Sequence, residues 1–435
     1  MNTRIKFTTR TAAAVFLTTI AAQAGPYSTG LNDPANPHDA PVPGFTGPHG
    51  AGKARIPDGN DGFQNPGNQV NPLFFAWASD YEDYARSDSD AGFSDPSYAL
   101  GPVTGDNFDV VSLGDLTAAQ LNAAQNNPGR ITLKFDKPIH DLSGADFVIF
   151  ENAFISANNT GGAGIGGVFA ELAYVEVSAD GVNFHRFNPA SLTPSTVGAY
   201  GSLDPTNVHN LAGKHVNAYG DSWGTPFDIA QTGLSQITHI RLVDIPGRGD
   251  FKDGAENPVY DAWRTFGSGG FDLEAVGSIS TLASFGEWPL LEGLVAGTRG
   301  EADDPDKDGI PNLLEYAFAL DPAKADAAGT GWKLQLHTDV TGTFVEVVIL
   351  RDERTVDLVR DIQVSEDLVV WTTLARSTAG GSFLPQNGFS PLVTNQRAGG
   401  IASVGVIRED RIRDTRPVAG ASKRFYQLKV TRMAP

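Results

Sequence analysis

The stretch Ala173-Tyr-Val-Glu-Val-Ser-Ala-Asp-Gly-Val-Asn-Phe-His-Arg-Phe187 decides the fold class. Ala173, Val175 and Val177 recur at every second residue, the period of a strand with one face on a core. Asp180-Gly181 then supplies turn chemistry, and Phe184 and Phe187 mark a return strand. Outward from this hairpin the same pattern repeats. Ile131-Thr-Leu-Lys-Phe135 alternates, and Phe147-Val-Ile-Phe150 is a continuous apolar run suited to a strand covered on both faces. Ile240 with Leu242, and Phe271, Leu273 and Ala275 leading to Ile279, add two more strands. Helical periodicity in this region is confined to Leu116–Ala124. Short strands with Gly- and Pro-rich connections argue for an all-β chain of the sandwich or jelly-roll kind.

A second β-rich segment follows, with strands expected at Trp332–Leu336, Phe344–Leu350, Ile362–Val364, Val404–Ile407 and Phe425–Val430. The opening phrase recurs there. Val177–Phe187 aligns without gaps to Val364-Ser-Glu-Asp-Leu-Val-Val-Trp-Thr-Thr-Leu374, each with a strand ending in Val-Ser, an Asp at the turn and an aromatic on the return. Convergent hairpins and a duplication both explain the match. The organisation expected is a signal peptide at 1–24 and a Pro/Gly/Asn-rich extended arm at 25–70. A jelly-roll-like sandwich over 71–280, a linker over 281–325 and a second sandwich over 326–435 complete it.

Within the linker, Asp304-Pro-Asp-Lys-Asp-Gly-Ile-Pro-Asn-Leu-Leu-Glu315 matches a twelve-residue calcium loop. Asp304, Asp306 and Asp308 occupy positions 1, 3 and 5, Gly309 the sharp turn, and the Ile310 carbonyl position 7. Asn312 can hold a water at position 9, and Glu315 closes the set as a bidentate ligand. All donors are oxygen, which suits Ca²⁺ over zinc or copper. Pro311 fits the first helical position, and Leu313, Ala317 and Leu320 share a face of a short helix ending at Asp321-Pro322. Pro311 also lacks the N–H through which paired EF-hand loops join. The segment resembles the solitary loops of dockerins and thrombospondin type 3 repeats, which implies a structural ion.

Arg4, Lys6 and Arg10 precede a short apolar run, Ala12 to Ala22, and Ala22-Gln23-Ala24 is an A-x-A cleavage site. The expectation is a bacterial exported protein starting at Gly25, secreted or surface-located, with no stretch long enough to span a bilayer. Cysteine is absent from the 435 residues, so packing and bound ions must do what disulfides do elsewhere. A net charge of −19 disfavours nucleic acid and anionic membranes as partners.

Catalytic patterns are weak. Gly220-Asp-Ser-Trp-Gly224 lacks the apolar strand that leads into a nucleophile elbow, and Gly267-Ser-Gly-Gly270 has no matching His. Gly162-Ala-Gly-Ile-Gly-Gly167 opens no helix. His209 and His215 show no zinc spacing. Trp77, Tyr81, Tyr84, Tyr200, Tyr219, Trp223, Tyr260 and Trp263 lie in acidic or Gly-rich contexts, and Trp223 and Trp263 are the leading candidates to stack on sugar rings. Glu151 and Asp272, at strand positions, would need a partner or a metal if buried, and form a candidate second cation site. The turn Val-Ser-x-Asp-Gly-x-x-Phe is similar to that of discoidin-type, galactose-binding-like jelly rolls. Ala99–Pro102, Val111–Gly114, Ile131–Phe135, Asp146–Phe154 and Gly267–Val276 resemble exported bacterial surface proteins of unassigned function, which implies a fold and a location but no reaction. The expected function is a calcium-binding, non-catalytic module for extracellular polysaccharide or another surface ligand. The alternatives are a polysaccharide hydrolase using paired carboxylates, and a structural or adhesive surface component.

Overall fold

A computed structural model of the chain describes residues 25–27, 39–88, 92–123, 127–142, 144–156, 167–266, 269–279, 284–327, 329–397, 407–419 and 423–433. The predicted signal peptide, the Gly-rich run 162–166 and Val404 lie outside these. The chain is all-β in character, with antiparallel sheets throughout.

In the first half, Ala173–Ser178 pairs with Gln236–Asp244, which pairs with Arg130–His140 and then Asp80–Ala85. A second sheet runs Val42–Pro43, Trp223–Phe227, Phe147–Glu151, Asp272–Ile279 and Phe74–Trp77. The inward residues of both, including Leu133, Val175, Val177, Ile240, Phe147, Ile149, Phe227 and Val276, form one apolar core. Phe147–Glu151 is buried along its whole length because Phe45, Phe74, Val103 and Ile279 cover its other face, around Val148 and Phe150. Tyr174, in the polar phase of its strand, is also buried, under Val168, Val208 and Leu211 from the connecting segments. The predicted helix is Ala118–Asn122, closed by a capping box between Thr117 and Gln120.

Two of the expected segments contribute to cores. Within the arm, Val42–Pro43 adds a strand beside Trp223–Gly224, and Phe45 and Ala54 enter the core. The described part of the linker, from residue 284, packs on the second half. Phe285, Trp288, Tyr316 and Phe318 share a core with Val347, Ile349, Leu358, Leu374 and Ile412 of the second half. The rings of Trp288 and Tyr316 lie 5.5 Å apart.

The second half holds two four-stranded sheets. One runs Trp332–Asp339, Gly342–Asp352, Ile407–Pro417, Leu392–Arg397; the other Leu384–Pro385, Thr372–Thr378, Leu358–Ser365, Phe425–Arg432. Of the strand expected at Val404–Ile407 only Ile407 lies within the described residues, where it belongs to the strand Ile407–Pro417. Its buried positions include Asp410 and Asp414, and Asp410 takes a hydrogen bond of 2.6 Å from the fully buried Arg351. An apolar-period search cannot see a strand whose inward side chains are charged and paired. The halves meet where Arg354 donates to the Pro72 carbonyl at 3.1 Å and lies 4.6 Å over Phe75. Lys137 and Glu292 pair nearby at 2.9 Å.

Candidate metal centre

The chain from Asp303 to Asp326 curls so that Asp304, Asp306 and Asp308 each capture backbone amides. Asp304 accepts from Lys307 N–H at 2.8 Å and Gly309 N–H at 3.0 Å. Asp306 accepts from Asp308 N–H at 3.2 Å, and Asp308 from Ile310 N–H at 2.7 Å. Gly309 sits at φ +91°, a conformation that glycine adopts without Cβ strain. Pro311 is extended (φ −72°, ψ 154°) and caps the helix Asn312–Phe318, so the loop passes directly into the turn that carries Glu315. Ala319, at φ +56°, ends that helix, and Leu320 N–H returns to the Glu315 carbonyl at 3.0 Å.

These turns converge the acids. Asp304, Asp306 and Asp308 bring oxygens within 4.8 Å of one another, and so do Asp308, Glu315 and Asp326. Asp308 belongs to both groups and joins them into a five-carboxylate set. Glu315 is wholly buried, and neither of its carboxylate oxygens has a hydrogen-bond donor among the described residues; Asp306 Oδ2 is in the same position. Burial, then repulsion from Asp306, Asp308, Asp304 and Asp326, pushes the Glu315 carboxyl up to about 8. Burial also raises Asp306 and Asp326. A buried anion without donors is unfavourable by several kcal/mol unless it meets a proton or a cation. Donorless oxygens aimed into an all-carboxylate cluster fit a hard cation, with Asp304, Asp306, Asp308, Glu315 and Asp326 as the residues that would hold it.

Two members of the predicted set also brace the loop. Asn312 uses its Nδ2 as a strap to the incoming chain, donating to the carbonyls of Thr298 at 2.8 Å and Gly300 at 3.0 Å, while its Oδ1 is buried without a donor. Ile310 anchors Asp308 through its N–H. Asp326 escaped the sequence reading because it lies eleven residues beyond the loop template. Its N–H donates to Asp308 Oδ2 at 2.7 Å, a contact made by the chain returning past the helix.

The predicted sugar-stacking residues fare differently. Trp223 is only 7% exposed, and its indole ring lies so close to Gly52 that a Cβ there would overlap it. It is a core ring under the arm, not a stacking platform. Trp263 is half-buried, its Nε1–H donating to the Leu116 carbonyl at 3.1 Å, with Arg248 5.6 Å from its ring. Exposed rings are found elsewhere. Tyr219 (71% exposed) meets Phe154 edge-on at 5.2 Å, Phe154 stacks on Phe169 at 4.7 Å, and Phe169 on Tyr200 (59% exposed) at 6.4 Å. Strand pairing of Phe154–Ile155 with Val168–Phe169 sets this row of four.

Ser222 of the Gly-Asp-Ser motif is fully buried, and Asp221 pairs with Lys53. His209 and His215 both engage Asp39, at 2.6 Å through its carboxylate and 2.8 Å through its carbonyl. Lys214 joins the same carboxylate at 2.9 Å, so this histidine pair pins the arm. Glu151 and Asp272 are both buried and lie on neighbouring strands. Among the described residues no helix is long and apolar enough to cross a membrane. The sequence matches no protein-family model and no curated protein.

Proposed function

We propose that this is a secreted calcium-binding protein built of two β-sandwich halves, in which the ion ties the segment 303–326 onto the second half. The observation that carries the reading is Glu315, wholly buried with two donorless oxygens facing four other acids. Calcium suits the site because it takes six to eight oxygen ligands in flexible geometry. The ion is structural in this reading: the helix it closes carries Tyr316, Ala317 and Phe318 into the core. Isothermal titration of the chelator-stripped full chain should show saturable Ca²⁺ uptake at pH 7.5. Glu315→Gln, which removes one bidentate anion at nearly equal volume, should weaken that uptake at least tenfold. A wild-type chain that takes up no calcium sinks the reading.

The first half serves as a non-catalytic module for extracellular polysaccharide in this proposal. Supporting it is the row Tyr219, Phe154, Phe169 and Tyr200, exposed at its two tyrosine ends, since sugar rings pack their C–H faces on aromatic rings. Its test belongs to the same preparation: affinity electrophoresis in polysaccharide gels, where retardation should be lost in Tyr200→Ala/Tyr219→Ala.

A further inference from the structure

Six carboxylates are buried together at one end of the first core: Asp115, Glu151, Glu171, Asp244, Asp261 and Asp272. The hook Gly270–Asp272 organises them. Gly270 N–H donates to Glu171 Oε1 at 3.0 Å, and the next amide, Phe271 N–H, donates to Asp244 Oδ1 at 2.9 Å. Thr265 bridges from the other side. Its hydroxyl donates to Glu171 Oε1, and its N–H lies 3.3 Å from Asp115 Oδ2. Asp261 Oδ2 accepts from Leu172 N–H at 2.8 Å, one residue beyond Glu171. Glu151 pairs with Leu273 across the sheet, and Asn152 N–H donates to the Asp272 carbonyl at 3.1 Å.

The charges act on one another. Glu151 is repelled by Asp272 and Asp261, Glu171 by Asp272, Asp115 and Glu151, and Asp244 by Asp115, Asp261 and Asp272. Arg264 opposes Asp115, but no basic side chain figures among the main influences on Glu151, Glu171, Asp244 or Asp261. Independently of the charge, two oxygens point to a missing partner. Asp244 Oδ2 and Glu151 Oε2 have no donor among the described residues, and both side chains are more than nine-tenths buried.

We propose that Glu151, Glu171, Asp244 and Asp272, with Asp115 and Asp261 beside them, form a second cation centre that takes a divalent ion of the calcium class. The donors are all anionic oxygen, which excludes the softer metals. Their near-complete burial leaves little room for the water shell that Mg²⁺ retains, whereas Ca²⁺ accepts a shell of carboxylates. Among the described residues no three of the six bring oxygens within 4.8 Å, as the loop acids do. Coordination at about 2.3–2.6 Å therefore requires these acids to draw closer together than they stand here. A site this enclosed loads during folding and exchanges slowly.

The test unfolds the full chain in guanidinium with chelator, refolds it in Ca²⁺, desalts it, and counts calcium per chain by mass spectrometry. The wild type should carry two ions, Glu315→Gln one, and Glu171→Gln/Asp244→Asn one. Tb³⁺ refolded into the Glu315→Gln chain should luminesce on indole excitation, through Trp263 next to this cluster, which reports on the site should the double variant not fold. A Glu315→Gln chain that retains no calcium and gives no Tb³⁺ emission overturns the proposal. If instead the wild type and Glu315→Gln both hold one ion, the loop assignment fails and this centre stands.

Discussion

Leu368 at φ +64° stands where Gly181 stands at φ +73°. The two turns around them agree atom by atom. Ser178 and Ser365 each donate to the Asp two residues on, at 2.9 and 3.0 Å, and each receives the N–H of residue 181 or 368, at 3.0 and 2.9 Å. Asp180 and Asp367 then each accept two further amides. The Val-Ser-x-Asp phrase was therefore fully legible, because its chemistry is local: side chains bond amides no more than three residues away. Only one of the two turns has the residue its backbone prefers. A non-glycine side chain in the left-handed region costs about 1–2 kcal/mol, partly offset by glycine's larger entropy loss on folding. Leu368 is 56% exposed, so its removal leaves no cavity. Leu368→Gly should stabilise the chain by about 0.5–1 kcal/mol, read as a rise in the urea midpoint at unchanged slope. A lower midpoint contradicts this account of the turn.

At the scale of elements, legibility follows how far the stabilising partner lies along the chain. The loop 304–315 could be read because its ligands recur at fixed spacing, and the helix Ala118–Asn122 because its period is local. Asp326 and the charged strand Ile407–Pro417 could not, since their logic rests on chain segments brought back from elsewhere. Trp223 misled because its exposure depends on an arm that crosses it. The loop element also has a measurable dependence on its ion. Without a cation, repulsion among Asp304, Asp306, Asp308, Glu315 and Asp326 opposes the turn that closes the helix Asn312–Phe318. Chelation should open the segment 300–327 to trypsin at Lys307 and Lys324, with cleavage at least tenfold faster than in 1 mM Ca²⁺. The hairpin at Gly181 should not change. Equal cleavage rates with and without calcium would show that the fold holds this loop unaided.

Across the whole molecule, burial of acids sets how stability responds to pH. Carboxylates held down by local donors, such as Asp180 and Asp367, titrate below their ordinary range and are constant above pH 5. Burial raises others. Asp146 and Glu274, outside either metal centre, are each pushed up to about 7. Between their unfolded values near 4 and about 7 the folded chain binds more protons than the unfolded one. Stability from these groups is thus complete below about pH 4 and lost as pH rises through 7, by on the order of 3 kcal/mol each. His140, lowered by burial, acts in the opposite sense but is one group. The net charge of −19 grows more repulsive in the same direction as the acids. Chelator-treated protein should therefore melt at a higher temperature at pH 5.5 than at pH 8. Glu274 allows the cause to be isolated. Its Oε1 accepts from Thr104 and Gly105 amides at 2.7 Å each, and its Oε2 from Asn217 Nδ2 at 2.5 Å, while Asn217 Oδ1 is buried without a donor. In Glu274→Gln the new amide can keep the first two bonds and donate to Asn217 after that side chain flips. The variant should gain stability at pH 8, change little at pH 5.5, and so flatten the pH profile. A profile as steep as the wild type's would place the titration elsewhere.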